Sequence, residues 1–290
     1  MATNTPFGQR LGLVLEGGAM RGIYTAGVLD VFLEAGIMPD VVVGVSAGAL
    51  HGCSYVAGQK GRSIRYYRKY RSDKHFMGLY SLLTTGDVVG TKFCYEDIPL
   101  RLDPFNEAAF EKAPVDFYVT VTNVRTGKPE YILCDELKVG SKMDVIRAGA
   151  SMPLCSKMVE WNGNLYLDGG VSDSIPYAKM KDFGCRKSIV VLTQPAGYLK
   201  QPASMAPFEA MYRKYPAFVE AMRGRDQMYN TEVCVVEQAA KQGDVFLIRP
   251  SKLLHVGRME HDIEVLNAQY ELGRQDARNQ MDAMREWMER

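Results

Sequence analysis

The residue best placed by its neighbours to do chemistry is Ser46, in Gly44-Val45-Ser46-Ala47-Gly48. The apolar run Val41-Val42-Val43 before it reads as a buried strand and the small residues after it as the start of a helix, so Ser46 falls on a sharp strand-to-helix turn. Its Oγ is then exposed, and the Ala47 N–H points into the same space at the amino end of a helix, which favours attack on an acyl carbon. The same small residues also serve where a helix packs tightly on a strand. A nucleophilic serine needs a base, and the chain has four histidines. His51 follows in the same expected helix, on a different side of it. His75 sits in a basic segment suited to solvent. His255 and His261 follow every candidate acid, so a Ser, Asp, His order is formally open, yet neither closes a strand with a small-residue loop. A carboxylate is the stronger candidate. Tyr166-Leu167-Asp168-Gly169-Gly170 puts Asp168 at the end of a short strand, with two glycines behind it that allow close approach. An Asp-Gly pair alone also makes a simple turn.

A second feature lies upstream, in Glu16-Gly17-Gly18-Ala19-Met20-Arg21-Gly22. A glycine-rich turn between strand and helix presents unpaired N–H groups that hold either a phosphate or the oxyanion of a tetrahedral intermediate. Dinucleotide binding asks for glycine at the first, third and sixth positions, but Ala19 occupies the middle one. The acidic ribose ligand would have to be Asp40, which precedes the next strand instead of ending it. An oxyanion loop fits better, because it lies one βα unit before the serine.

The elements that must position these residues follow from hydrophobic pattern. Leu11 to Leu15 reads as a strand ending in glycines, and residues 21–36 as a helix with Ala26, Leu29 and Leu33 on one stripe, stopping at Gly36. Residues 40–45 form a second strand, of the doubly covered parallel kind. One helix between two parallel strands makes a right-handed βαβ unit, so the loops at Gly17 and Ser46 emerge on the same sheet edge. Residues 115–124 read as a strand with a hairpin-like return over 126–134, and residues 164–168 as a short strand. Residues 187–195 read as a parallel-type strand ended by Pro195. From about 205 the chain turns helical and methionine-rich, interrupted by a short strand at 244–250 before a final helix over 263–289.

The glycine-rich loop with arginine, the Gly-x-Ser-x-Gly and the downstream Asp-Gly-Gly, in that order, resemble the patatin-like phospholipases, serine acyl hydrolases that use a Ser–Asp dyad. The segments Thr122-Asn123-Val124-Arg125 and Ile146-Arg147-Ala148-Gly149-Ala150 are similar to those preceding the dyad aspartate in bacterial members. The resemblance implies an α/β three-layer sandwich with a mainly parallel central sheet and helices on both faces. It covers a catalytic domain over 10–195, with 196–290 a mainly helical C-terminal extension packed on the same domain. It makes Ser46 the nucleophile and Asp168 the base. Gly17, Gly18 and Ala19 become the oxyanion loop with Arg21 as its cation, aided by Ala47; Gly44 and Gly48 shape the elbow, and Gly22, Gly169 and Gly170 complete the motifs. Where the family has a third loop glycine this chain has Ala19, which keeps its N–H but is strained if φ must be positive. The implied reaction is hydrolysis of lipid carboxylic esters through an acyl-enzyme, with neither metal nor cofactor. Two alternatives remain: a Ser-His-Asp esterase using His255 or His261, and a non-catalytic lipid-binding protein of the same fold.

Composition narrows the partners. The chain of 290 residues carries 35 Lys plus Arg against 34 Asp plus Glu, so nothing global draws it to nucleic acid or to an anionic membrane. Six scattered cysteines without a Cys-x-x-Cys pair fit reduced thiols, and with no apolar segment long enough for a membrane span they point to a soluble cytoplasmic protein. Residues 62–75 mix cations with Tyr66, Tyr67 and Tyr70. That suits a peripheral membrane contact at lipid headgroups, or equally a solvated helix with its tyrosines on the core. Met205, Met211, Met222 and Met228 suit an acyl-chain groove or core filler. The last helix, with Trp287 and Met288, suits a lid or the interface of a homo-oligomer.

Overall fold

The computed structural model describes residues 5–290. Its strands form one mixed sheet: β1 (Arg10–Leu15), β2 (Val41–Val45), β3 (Asp116–Asn123), β4 (Pro129–Leu133), β5 (Val159–Trp161), β6 (Asn164–Asp168), β7 (Cys185–Val191) and β8 (Val245–Ile248). β3, β2, β1, β7 and β8 lie side by side, all parallel. β4 and β6 run antiparallel to β3, and β5 antiparallel to β6. The helices are α1 (Ile23–Glu34), α2 (Ala47–Val56), α3 (Arg62–Tyr70), α4 (Leu79–Thr85), α5 (Glu107–Lys112), α6 (Met143–Gly149), α7 (Ala206–Met211), α8 (Pro216–Arg223), α9 (Arg225–Gln242), α10 (Ile263–Asn279) and α11 (Met281–Glu289). A π-helical segment, Phe93–Leu102, lies between α4 and α5.

The continuous apolar runs of the parallel strands arise because both sheet faces are covered. Successive side chains alternate across a strand. Leu13, Leu15, Val42, Ile189 and Val191 therefore join Val28 and Phe32 of α1, Ala49 of α2 and Ile146 of α6 on one face. Val14, Val43, Val190 and Val245 join Tyr229, Val236 and Ala239 of α9 on the other. This is a three-layer α/β sandwich with a mainly parallel sheet.

The helix at 23–34 was expected to bury one stripe, yet ten of its twelve residues are buried. The reason is α10, which crosses its outer face. A Cβ on Gly27 would lie 2.1 Å from the Tyr270 carbonyl oxygen, and one on Gly273 2.1 Å from that of Tyr24, so each helix needs its glycine for the other to approach. Buried hydroxyl bonds from Tyr24 to Asp276 (3.1 Å) and from Tyr270 to Asp30 (2.6 Å) lock the crossing. The expected final helix divides at Gln280 into α10 and α11. Trp287 of α11 donates its indole N–H to the Gly243 carbonyl (2.7 Å) and packs on Phe246, at the amino ends of β7 and β8. That is the edge opposite Ser46, so this end of the chain is no lid over it.

Part of the segment 62–75 is engaged by the protein itself, while Arg68, Lys69 and Lys74 are exposed. Tyr67 and Tyr70 are buried, Arg62 and Arg65 pair with Asp103, and Arg71 donates to the carbonyls of Met259 and Glu260. Among the described residues no helix is long and apolar enough to cross a membrane.

Candidate active site

Ser46 ends β2 and begins α2 with φ 53° and ψ −122°, a conformation that costs a non-glycine residue about 1–3 kcal/mol and lifts its side chain clear of the strand. The flanking glycines are required by close packing. A Cβ on Gly44 would lie 2.5 Å from the Ala49 Cα, and one on Gly48 would lie 2.3 Å from the Leu15 carbonyl oxygen. Each half of the motif thus lets α2 sit directly on the sheet.

Asp168 reaches Ser46 through an economy of strand edges. β4 occupies one edge of β3, pairing with both Thr120 and Thr122. The other edge is shared: β2 takes it up to Val45 opposite Thr120, and β6 runs back along it, with Asp168 opposite Val121. The carboxyl ends of β2 and β6 therefore meet head-on. The Ser46 hydroxyl donates to Asp168 Oδ2 at 2.6 Å, and the Gly170 N–H donates to Oδ1 at 2.8 Å. Thr122 Oγ1 donates to the Asp168 carbonyl at 2.8 Å, and a Cβ on Gly169 would lie 2.2 Å from the Thr120 carbonyl oxygen. Both members of the pair are buried. Burial pushes the Asp168 carboxyl above its usual range, opposed by the Ser46 hydrogen bond, Arg225 and the Gly170 N–H.

The glycine-rich loop lies against both. A Cβ on Gly17 would come within 2.8 Å of the Ser46 Cβ, one on Gly18 within 2.7 Å of Thr193 Oγ1, and one on Gly22 within 2.6 Å of the Ala47 Cβ. Among the described residues the N–H groups of Gly17, Gly18, Ala19 and Ala47 donate to no protein acceptor. They remain available to an oxyanion. Ala19 has φ 49°, the positive value at which its methyl is strained, so the loop keeps its donor at a conformational cost. Glu16 anchors the loop by accepting from the Thr193 N–H at the end of β7. Asp40, the ribose ligand of the dinucleotide reading, instead accepts from the Leu11 N–H (2.8 Å) at the amino edge of the sheet.

Two cavities meet at Ala19, Ser46 and Met152. One is apolar, lined by Leu50, Tyr67, Phe76, Ile98, Met143 and Ile146 among others. The other carries Glu16, Asp168 and four cations: Arg21, Lys200, Arg225 and Arg258. Of the methionines considered for an acyl groove, Met222 lines the polar cavity and Met211 is exposed, while the apolar cavity uses Met20, Met77 and Met143. His51 is buried without a hydrogen-bond partner, and burial depresses its pKa to about 4, so its ring is neutral. His255 and His261 are exposed and line neither cavity.

Lys200, Arg225 and Arg258 were missed by the sequence reading. Arg225 donates to the Gly170 carbonyl at 2.6 Å, tying α9 to the turn behind Asp168. These cations sit in three separated segments with no shared spacing, so no motif marks them.

Fold and site together have the architecture of an α/β acyl hydrolase. The family model for patatin-like phospholipase matches residues 13–180, and a domain of unknown function (DUF6363) matches 215–289. The chain belongs to the patatin-like phospholipase family, which places it among lipid acyl hydrolases. It is 28% identical over 273 residues to the uncharacterized protein YjjU of Escherichia coli, covering 91% of this chain and 75% of that one. It is 30% identical over 190 residues to lysophospholipase NTE1 of Saccharomyces cerevisiae, and 30% over 182 residues to lysophospholipase nte1 of Aspergillus terreus. Those matches cover 63% and 61% of this chain but 11% of each lysophospholipase. VipD from Legionella pneumophila, a crystal structure, superposes with a TM-score of 0.48 at 13% identity, over 96% of this chain and 67% of that one.

Proposed function

We propose that the protein hydrolyses carboxylic esters of lipids through a Ser46–Asp168 dyad and an acyl-enzyme. The observation that carries this is the 2.6 Å hydrogen bond from the buried Ser46 hydroxyl to Asp168 Oδ2, beside four free N–H groups. Ser46 Oγ attacks the ester carbonyl carbon as Asp168 takes its proton, and the carbonyl oxygen becomes an oxyanion held by N–H groups of the glycine loop and Ala47. The C–O bond to the alcohol then breaks, and Asp168 returns the proton to the leaving alkoxide. Water attacks the acyl-enzyme with its proton passing to Asp168, and the fatty acid leaves as Ser46 is reprotonated. Desolvation of Asp168 serves this scheme, since a carboxylate of ordinary pKa, about 3.9, is a weak base for a hydroxyl. An alkoxide leaves more readily than an amide nitrogen, so esters are preferred. The apolar cavity suits the acyl chain, each buried methylene contributing about 0.8 kcal/mol.

The test is reaction with a fluorophosphonate, mapped by peptide mass spectrometry, together with fatty acid release from acyl esters. Labelling at Ser46 with turnover is expected. An intact protein that shows neither is not this enzyme.

A further inference from the structure

The dyad leaves the alcohol side of the ester undefined, and the polar cavity has a chemistry of its own. Its four cations face two carboxylates that are already engaged. Glu16 accepts from the Thr193 N–H, and Asp168 from Ser46 and Gly170. Among the described residues none of Arg21, Lys200, Arg225 and Arg258 forms an ion pair with a carboxylate. Against two carboxylates the four cations leave the cavity an excess of positive charge, which is unfavourable where water is partly excluded. Lys200 registers it: burial, and then the nearness of Arg225, push its ammonium down to about 8.

Two of the cations are also held in place. Lys200 lies beyond β7, its backbone N–H and carbonyl both bonded to the Asn230 side chain (2.9 and 3.1 Å) and its ammonium 4.0 Å from the Tyr229 ring centre. Arg225 is the first residue of α9, whose 18 residues add partial positive charge at that end. Arg258, an exposed residue, reaches the cavity from the loop before α10. Two guanidinium forks and an ammonium converging on one cavity match the several oxygens of a phosphate better than a single carboxylate.

We propose that this cavity is a subsite for a phosphate group on the alcohol side of the ester, with Lys200, Arg225 and Arg258 as its ligands. The preferred substrates are then phosphate-bearing acyl esters of the glycerophospholipid kind, and neutral acylglycerols are poor ones. This rests on the hydrolase reading, with the acyl chain in the apolar cavity and the alcohol in the polar one.

The experiment compares 1-oleoyl lysophosphatidic acid with 1-oleoylglycerol, which differ only in the phosphate. The kcat/KM ratio of the wild type is expected to favour the first by about tenfold or more, and Lys200→Gln with Arg258→Gln to reduce that ratio by about tenfold. Lys200→Arg with Arg258→Lys, which keeps the charges, retains most of it. A ratio near one in the wild type, or one unmoved by the glutamine pair, overturns the subsite. If the wild type hydrolyses neither ester, the hydrolase reading fails and calorimetry decides the subsite separately. Glycerol 3-phosphate binding weakened about tenfold by the glutamine pair supports it, and absent or unchanged binding overturns it. Inorganic phosphate that binds as tightly as glycerol 3-phosphate identifies a site for the free anion and overturns the headgroup assignment.

Discussion

The two walls of the cleft at Ser46 are built on different principles. One wall, made of the elbow, the glycine loop and the Asp168 turn, is a matter of backbone approach: at Gly17, Gly22, Gly44, Gly48 and Gly169 an added Cβ would fall within 2.8 Å of a neighbouring atom. The other wall, made of Lys200, Arg225 and Arg258, is a matter of charge, and its backbone has no such demands at those positions. Geometry of the first kind requires particular residues at particular spacings. Charge of the second kind can be supplied from any segment long enough to reach. The first wall also holds the reacting atoms, so its variants should fail in turnover, whereas variants of the second should fail in selectivity.

The largest effects test the first half of that statement. Ser46→Ala is expected to abolish ester turnover, with a loss on the order of 10⁴-fold or more, and Asp168→Asn to lose about 10³-fold while retaining the fold. His255→Ala and His261→Ala, at exposed positions off both cavities, should leave kcat/KM within about twofold. Substantial activity in Asp168→Asn combined with its loss in either histidine variant would reassign the base and break the contrast between the walls.

A smaller effect probes where the walls touch. Asp168 must be ionised to accept the Ser46 proton, and burial raises its pKa, so kcat/KM should rise with pH along a limb lying above the ordinary carboxylate range. Arg225 works the other way, because a cation beside a carboxylate favours the ionised form. Arg225→Gln should therefore shift the limb to higher pH, and Arg225→Lys should bring it back towards the wild-type position. A limb that stays put in Arg225→Gln while kcat falls would leave Arg225 only its bond to the Gly170 carbonyl.

The same division explains how far the residues could be read in advance. The strands β1, β2, β3, β6 and β7, the α1 crossover and the loops at Gly17, Ser46 and Asp168 left marks in the sequence because each depends on apolar periodicity or on glycine at a close contact. What the pattern did not reveal is that β6 shares an edge of β3 with β2, the arrangement that joins residues 122 apart in the chain. Strand pairing of that kind is a tertiary fact without local signature. The crossing of α10 over α1 was hidden for the same reason: Gly27 and Gly273 read as ordinary interior glycines until each is seen facing the other helix. Lys200, Arg225 and Arg258 carry no spacing rule at all, so they emerge only when the chain is folded around the cleft.

The smallest predicted effect lies within the first wall, at the one place where its residue type and its geometry disagree. Ala19 holds φ 49° between Gly18 and Met20, and a left-handed conformation costs an L-residue roughly 1–2 kcal/mol. Ala19→Gly removes that cost and leaves the backbone N–H where it was. It also gives the unfolded chain more freedom, which returns about 0.4–1 kcal/mol. The balance is a gain of between zero and about 1.6 kcal/mol, read as a rise in Tm of a few degrees at most. If the strain instead holds the N–H aimed at the oxyanion, Ala19→Gly should lower kcat while Tm rises, because relief of strain and loss of aim then come from the same methyl. A fall in Tm would mean that contacts of this methyl at the junction of the two cavities outweigh its conformational cost, and the glycine rule for this wall would not extend to position 19.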